Sequence, residues 1–208
     1  MKKSADNAAH DALDRAAEVF RSNGGILRTS KAIGAGIHPR TLYAMRDAGL
    51  VERLARGLYR LSGMPPLGNP DLVAVAGKVP NGVICLVSAL AYHEITDEIP
   101  HEVHLALARG AEPPRMEHPP VRIFWFKGRA FSQGIEEHMV DNTRVRIYSA
   151  EKTIADCFKY RNRIGTDVAV GALRSYFSRG RPRLDEVMKF ARICRVANVL
   201  RPYMEALL

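Results

Sequence analysis

Between Ser62 and Pro70 the chain reads SGMPPLGNP, two Gly and three Pro in nine residues. Proline removes a backbone donor and glycine raises the entropy cost of ordering, so this stretch sustains neither helix nor ladder. A chain of 208 residues interrupted there is expected to fold as two bodies. The expected domains are residues 1–64 and 70–208.

Charge follows the same division. Residues 1–64 carry a net charge of +5, residues 65–158 carry −3 and residues 159–208 carry +7, for +9 overall. Two basic ends around a mildly acidic middle suit a protein held to nucleic acid through phosphates, although solvated surfaces also produce this pattern.

In the first domain Leu13, Ala16, Ala17 and Phe20 recur at helical spacing from about Asn7, and Asn23-Gly24-Gly25 ends that helix. Thr29 or Ser30 is expected to cap a second short helix running to Ala35. Pro39 suits the first turn of a third helix, which runs to about Ala48 and closes at Gly49. Leu42, Met45 and Gly49 fall on its inner face. Arg40, Tyr43, Ala44 and Asp47 fall on the outer one, with Thr41 at the edge. The segment VERLARGLYRL then alternates as a hairpin, with Val51, Leu54, Leu58 and Leu61 apolar and Arg56-Gly57 at the turn. Two short helices joined by a Gly-containing turn and followed by a basic hairpin make a winged helix-turn-helix. Its candidate DNA-binding residues are Arg40, Thr41, Tyr43 and Ala44 on the third helix and Arg53 and Arg56 on the hairpin. The competing reading is a small helical domain whose arginines are only solvated.

The second domain is expected to begin with a buried helix over Val83–Glu94. Strands follow at Glu102–Ala108, Val121–Lys127, Ile135–Val140 and Arg144–Tyr148, the last two joined by an Asp141-Asn142 turn. Helices then occupy Ser149–Arg161, Asp167–Ser178, Leu184–Arg195 and Val199–Leu208. An antiparallel sheet followed by helices is an α+β order. The fold class is therefore α+β: an N-terminal winged helix-turn-helix, then a mixed α/β domain ending in several helices.

Several constellations imitate active sites. His93, Glu94, Asp97, Glu98, His101, Glu102 and His104 lie within twelve residues. Asp97, however, stands where a zinc-binding HExxH needs its second histidine, so a solvated helix end and strand start are favoured over a metal site. Ser149 and Lys152 have the SxxK spacing of acyl-transfer enzymes, but Ser149 directly precedes a helix and reads better as its N-cap. No P-loop or GxGxxG occurs, and neither Gly-Ser nor paired Asp-x-Asp or Asp-x-Glu carboxylates are present for two-metal nucleotidyl transfer. The chain is read as a non-enzyme that needs no cofactor or metal. Arg174, Arg179, Arg181 and Arg183 form a basic group that is either solvated surface, a second DNA contact or a patch with a separate task.

The apolar region Leu72–Tyr92 is broken by Lys78, Pro80 and Asn81, so no membrane span is expected. The start MKKSADNAAH turns polar where a secretion signal would be apolar, which points to the cytoplasm. Cys85, Cys157 and Cys194 lie far apart and are expected to be reduced core residues.

Three stretches taken in order resemble the AbiEi-type antitoxins of type IV toxin-antitoxin systems. These are HPRTLYAMRDAGLVERLARGLYRL (His38–Leu61), ICLVSALAYHEITDEIPHEVHLALARG (Ile84–Gly110) and VRIYSAEKTIADCFKYRNRIGTDVAVGALR (Val145–Arg174). The resemblance implies a winged helix-turn-helix followed by a larger antitoxin domain. It also implies an autorepressor that binds inverted repeats of double-stranded DNA in its own promoter. The partner implied is a nucleotidyltransferase-like toxin, opposed without a required stable complex, and Arg174, Arg179, Arg181 and Arg183 become candidates for antitoxicity. The alternative is a stand-alone regulator whose second domain senses a ligand or mediates assembly.

Overall fold

A computed structural model describes residues 2–180 and 182–207, with side chains from His10 onward. The protein is mixed α and β and divides into two compact units. The first comprises residues 1–80 with 139–144, the second residues 81–138 with 145–208. The Ser62–Pro70 segment lies inside the first of these.

In the first unit, helix α1 (Lys2–Ser22) ends at Gly24 and Gly25, whose backbone N–H groups bond back to Arg21 and Phe20. Strand β1 (Ile26–Arg28), helix α2 (Thr29–Gly34), helix α3 (Pro39–Asp47) and strands β2 (Val51–Ala55) and β3 (Leu58–Leu61) follow in order. The strands form an antiparallel sheet in the order β1-β3-β2. Phe20, Leu27, Ala32, Ile37, Leu42, Met45 and Val51 close the core beneath the helices. Met45 and Leu42 have no exposed surface, as their spacing on α3 predicts, whereas Gly49 is exposed.

Two expectations in this unit need correction. Neither Thr29 nor Ser30 caps α2: Arg28 holds the N-cap position without a side-chain bond, and Thr29 lies within the helix. The Thr29 hydroxyl donates instead to Gly57 O, beside its own backbone N–H, which donates to the same oxygen at 2.9 Å. Helix α4 (Pro70–Lys78) was not foreseen. Pro70 is its first residue, where a missing N–H costs nothing, and Leu72, Val73, Ala74 and Val75 are all buried. A Cβ on Gly77 would stand 2.7 Å from Leu58 Cδ2, so glycine permits the close approach of α4 to β3.

The second unit is built on a five-stranded sheet in the order β6-β5-β4-β8-β7. Its strands are β4 (Val83–Ile84), β5 (Val103–Ala108), β6 (Val121–Phe126), β7 (Ile135–Val140) and β8 (Thr143–Tyr148). The expected helix over Val83–Glu94 is thus a strand followed by helix α5 (Leu86–Tyr92). Every residue from Val83 to Leu90 is buried, so this run has no exposed face to reveal a period. The sheet is also mixed rather than antiparallel: β4 pairs antiparallel with β5 but parallel with β8, and β5 pairs parallel with β6.

Helices α6 (Arg129–Ser132), α7 (Ala150–Lys159), α8 (Arg161–Ile164), α9 (Thr166–Ser178), α10 (Leu184–Cys194) and α11 (Ala197–Glu205) complete it. Helix α7 is central, packed by α5, α9, α10 and α11. Every residue from Glu151 to Phe158 is buried, charged ones included. Cys85, Cys157 and Cys194 are free and buried, as expected.

Candidate nucleic-acid interface

Helix α3 begins at Pro39, and the His38 ring accepts a hydrogen bond from the Arg40 backbone N–H at 3.2 Å. This side-chain cap fixes the first turn from which Arg40 projects. Arg40, Tyr43, Ala44, Arg46 and Asp47 are exposed, opposite the buried Leu42 and Met45. Thr41 is half-buried and lines a cleft with Ala12, Arg15 and Val19 of α1, so it faces sideways rather than outward. Among the described residues Arg40 makes no salt bridge, whereas Arg46 donates twice to Asp47, at 2.8 and 2.7 Å. The Arg46 guanidinium also lies 5.2 Å from the Tyr43 ring centre. Sequence reasoning missed Arg46; its three-residue spacing from Tyr43 and its place beside Asp47 were the available signals.

The hairpin turn at Arg56-Gly57 is anchored within its own unit. Gly57 (φ +76°) takes the left-handed backbone that the turn needs. Its carbonyl receives the Thr29 bonds, and Lys78 Nζ donates to Arg56 O at 2.9 Å. Arg53 is exposed, its Nε reaching Ala55 O at 3.4 Å, and Arg56 is exposed at the tip. Arg60, by contrast, is buried and bonded to Glu52 at 2.6 Å and to Pro65 O, so it serves the fold. Among the described residues, Arg40, Arg53 and Arg56 are exposed and join no salt bridge.

The arginines of the second unit separate by their partners. Arg179 donates to His93 O at 2.6 Å and to Glu94 O, tying down the end of α5. Arg183 donates to the buried Glu151 carboxylate at 2.9 Å, which Tyr176 OH also reaches at 2.6 Å. Burial pushes the Glu151 carboxyl up, but Tyr176, the helix backbone and Arg183 together hold it below its ordinary range. Arg174 is exposed, and Arg181 lies outside the described residues.

The constellations that imitate active sites are also placed. Ser149 caps α7, accepting from the Lys152 N–H at 3.3 Å, and the Lys152 ammonium is bonded to Asp156 instead. His93 Nε2 lies 2.7 Å from Tyr148 O, while Asp97, Glu98 and His101 are exposed. Among the described residues no group of three or more His, Cys, Asp or Glu is arranged to hold a metal ion. Nor is any helix among them long and apolar enough to cross a membrane.

Residues 14–62 match the family model described as "Transcriptional regulator, AbiEi antitoxin". The match spans about a quarter of the chain and takes in the C-terminal part of α1, β1, α2, α3 and the hairpin. The resemblance to the AbiEi-type antitoxins is borne out over that stretch. No curated protein matches the chain.

Proposed function

We propose that the protein is a DNA-binding autorepressor and antitoxin without enzymatic activity, acting in the cytoplasm. The first unit is a winged helix-turn-helix: α3 enters the major groove of inverted repeats in the promoter, and the β2–β3 hairpin follows the phosphate backbone. The observation that carries the reading is α3 itself, two-faced and set in the element order α1-β1-α2-α3-β2-β3, with Arg40 on its outer face and Arg56 at the hairpin tip, neither in a salt bridge among the described residues. Arg40 and Tyr43 are the base-reading candidates, Ala44 sits where a thymine methyl would pack, and Arg53 and Arg56 hold phosphates. Thr41 contributes from the edge of the face. The second unit supplies antitoxicity against a nucleotidyltransferase-like toxin, without requiring a stable complex.

Binding of a promoter fragment, followed by fluorescence anisotropy over a salt series, tests this directly. Affinity should fall steeply with salt, because each neutralised phosphate releases counterions. Arg40→Ala should cost about 1–3 kcal/mol and relax sequence preference, while Arg56→Ala should weaken all sequences alike. Asp47→Ala should tighten binding by removing a negative charge and freeing Arg46. A flat salt response, or equal sequence-blind losses at Arg40 and Arg56, would refute the assignment. A stand-alone regulator whose second unit senses a ligand is the other reading; a cationic cleft in that unit favours it.

A further inference from the structure

Lys127 and Arg129 follow β6, Lys159 ends α7, and Arg195 follows α10; the four surround a cleft of about 570 Å³ floored in part by Ile193 and Cys194. The volume falls within the roughly 300–1,000 Å³ of small-ligand sites. Among the described residues none of the four cations joins a salt bridge. Asp156, one turn before Lys159, is already bonded to Lys152 and Cys194. The residues that line the cleft, 127–130, 159 and 193–195, include four cationic side chains and no acidic one.

Helix dipoles do not explain this charge. The ends of α7 and α10 each offer about half a negative charge, together about one against four positive. Two of the four, Lys159 and Arg195, carry a further detail. The Lys159 ammonium lies 5.7 Å and 5.8 Å from the ring centres of Phe126 and Tyr160. Arg195 occupies the left-handed C-cap of α10 at φ +61°, ψ +39°, a position at which glycine is the ordinary choice. A long charged side chain kept in a backbone conformation that disfavours it points to a use for the charge.

We propose that this cleft binds the di- or triphosphate group of a small nucleotide-like ligand. Four converging cations match a compact polyanion better than a single carboxylate, and the apolar Ile193 and Ala130 leave room for an uncharged portion of the ligand beside them. The assignment is independent of DNA binding by the first unit.

The full-length protein, titrated with the fluorescent nucleotide mant-ATP at about 0.15 M salt, provides the test. Saturable binding that inorganic pyrophosphate displaces is expected. Arg195→Gly should weaken it about tenfold or more, the size of one lost charge-assisted contact. The same substitution suits the left-handed cap, so the melting temperature should hold or rise, which separates a lost ligand contact from a damaged fold. Lys127→Gln should weaken binding in the same way. The proposal is overturned if neither mant-ATP nor pyrophosphate binds, or if both variants bind as tightly as the parent. It is equally overturned if a single-stranded oligonucleotide binds there and neither small anion displaces it, since the cleft would then be a nucleic-acid backbone contact.

Discussion

Lys152 and Asp156 lie one turn apart on α7, and neither side chain has any exposed surface. Burial pushes the Asp156 carboxyl up while the adjacent Lys152 ammonium draws it down. Lys152 also sits 4.0 Å from the Tyr148 ring centre, and Cys194 Sγ donates to Asp156 at 3.1 Å. Lys152→Met, which strands the carboxylate, should cost about 3–5 kcal/mol in urea unfolding. Combining it with Asp156→Leu should restore most of that loss; an additive double mutant would show that the ion pair is not the source. His104 offers a second residue-level test. Burial lowers its imidazole to about 4, and its buried Nδ1 has no hydrogen-bond partner among the described residues. The unfolded chain takes up this proton near pH 6.5, the folded chain only near 4. The stabilisation is therefore complete above 6.5 and is lost as pH falls toward 4, by about 3 kcal/mol. His104→Leu should be near neutral at pH 7 and flatten that slope, as melting curves across the interval would reveal.

Helix α4 shows how one element depends on a residue far along the chain. Asn69 occupies its N-cap but makes no side-chain cap bond. Asp141 instead braces the two residues that lead into the helix, its carboxylate accepting from Gly68 N at 3.1 Å and Asn69 N at 3.0 Å. Asp141→Ala should lower stability by about 1–2 kcal/mol, the usual worth of hydrogen bonds to a charged group at a partly exposed site, while Asp141→Asn should lose less; chemical denaturation measures both. Nothing near Pro70 announces such a partner, and reading that proline as the end of a linker rather than the start of a helix hid α4. Where a face is half solvated the sequence was legible: α3 with Leu42 and Met45 inward, the Arg56-Gly57 hairpin and the Asp141-Asn142 turn all follow from periodicity and turn chemistry. It was illegible where elements are buried on every side. The run from Val83 to Leu90 has no polar face to separate β4 from α5, and the burial of Glu151 rests on Tyr176 and Arg183, partners far along the chain that nothing beside it announces. Parallel pairing of β5 with β6 leaves no local mark either. On the candidate DNA face the exposed arginines were readable from spacing, but the bonds that occupy Arg60, Arg179 and Arg183 join residues whose pairing only the fold reveals.

For the whole molecule, the division of labour is best tested in the intact chain. A fragment starting at residue 70 would carry α4 and residues 139–144, both part of the first unit, away from the rest of it. The full-length double variant Arg40→Ala, Arg56→Ala should lose promoter binding yet still restore growth under toxin expression, with a melting curve to confirm folding. Loss of protection in a folded, DNA-blind protein would tie the two activities to one surface. The same discontinuity governs how the chain is made. Residues 81–138 must be synthesised after Pro80 before the six residues that complete the first unit exist. At roughly 5–20 residues per second this interval lasts about 3–12 s. Until it ends, the nascent N-terminal segment has no Asp141 to hold the Gly68 and Asn69 backbone that leads into α4, so codon usage across 81–138 sets how long each new molecule stays exposed to proteases before that segment can close.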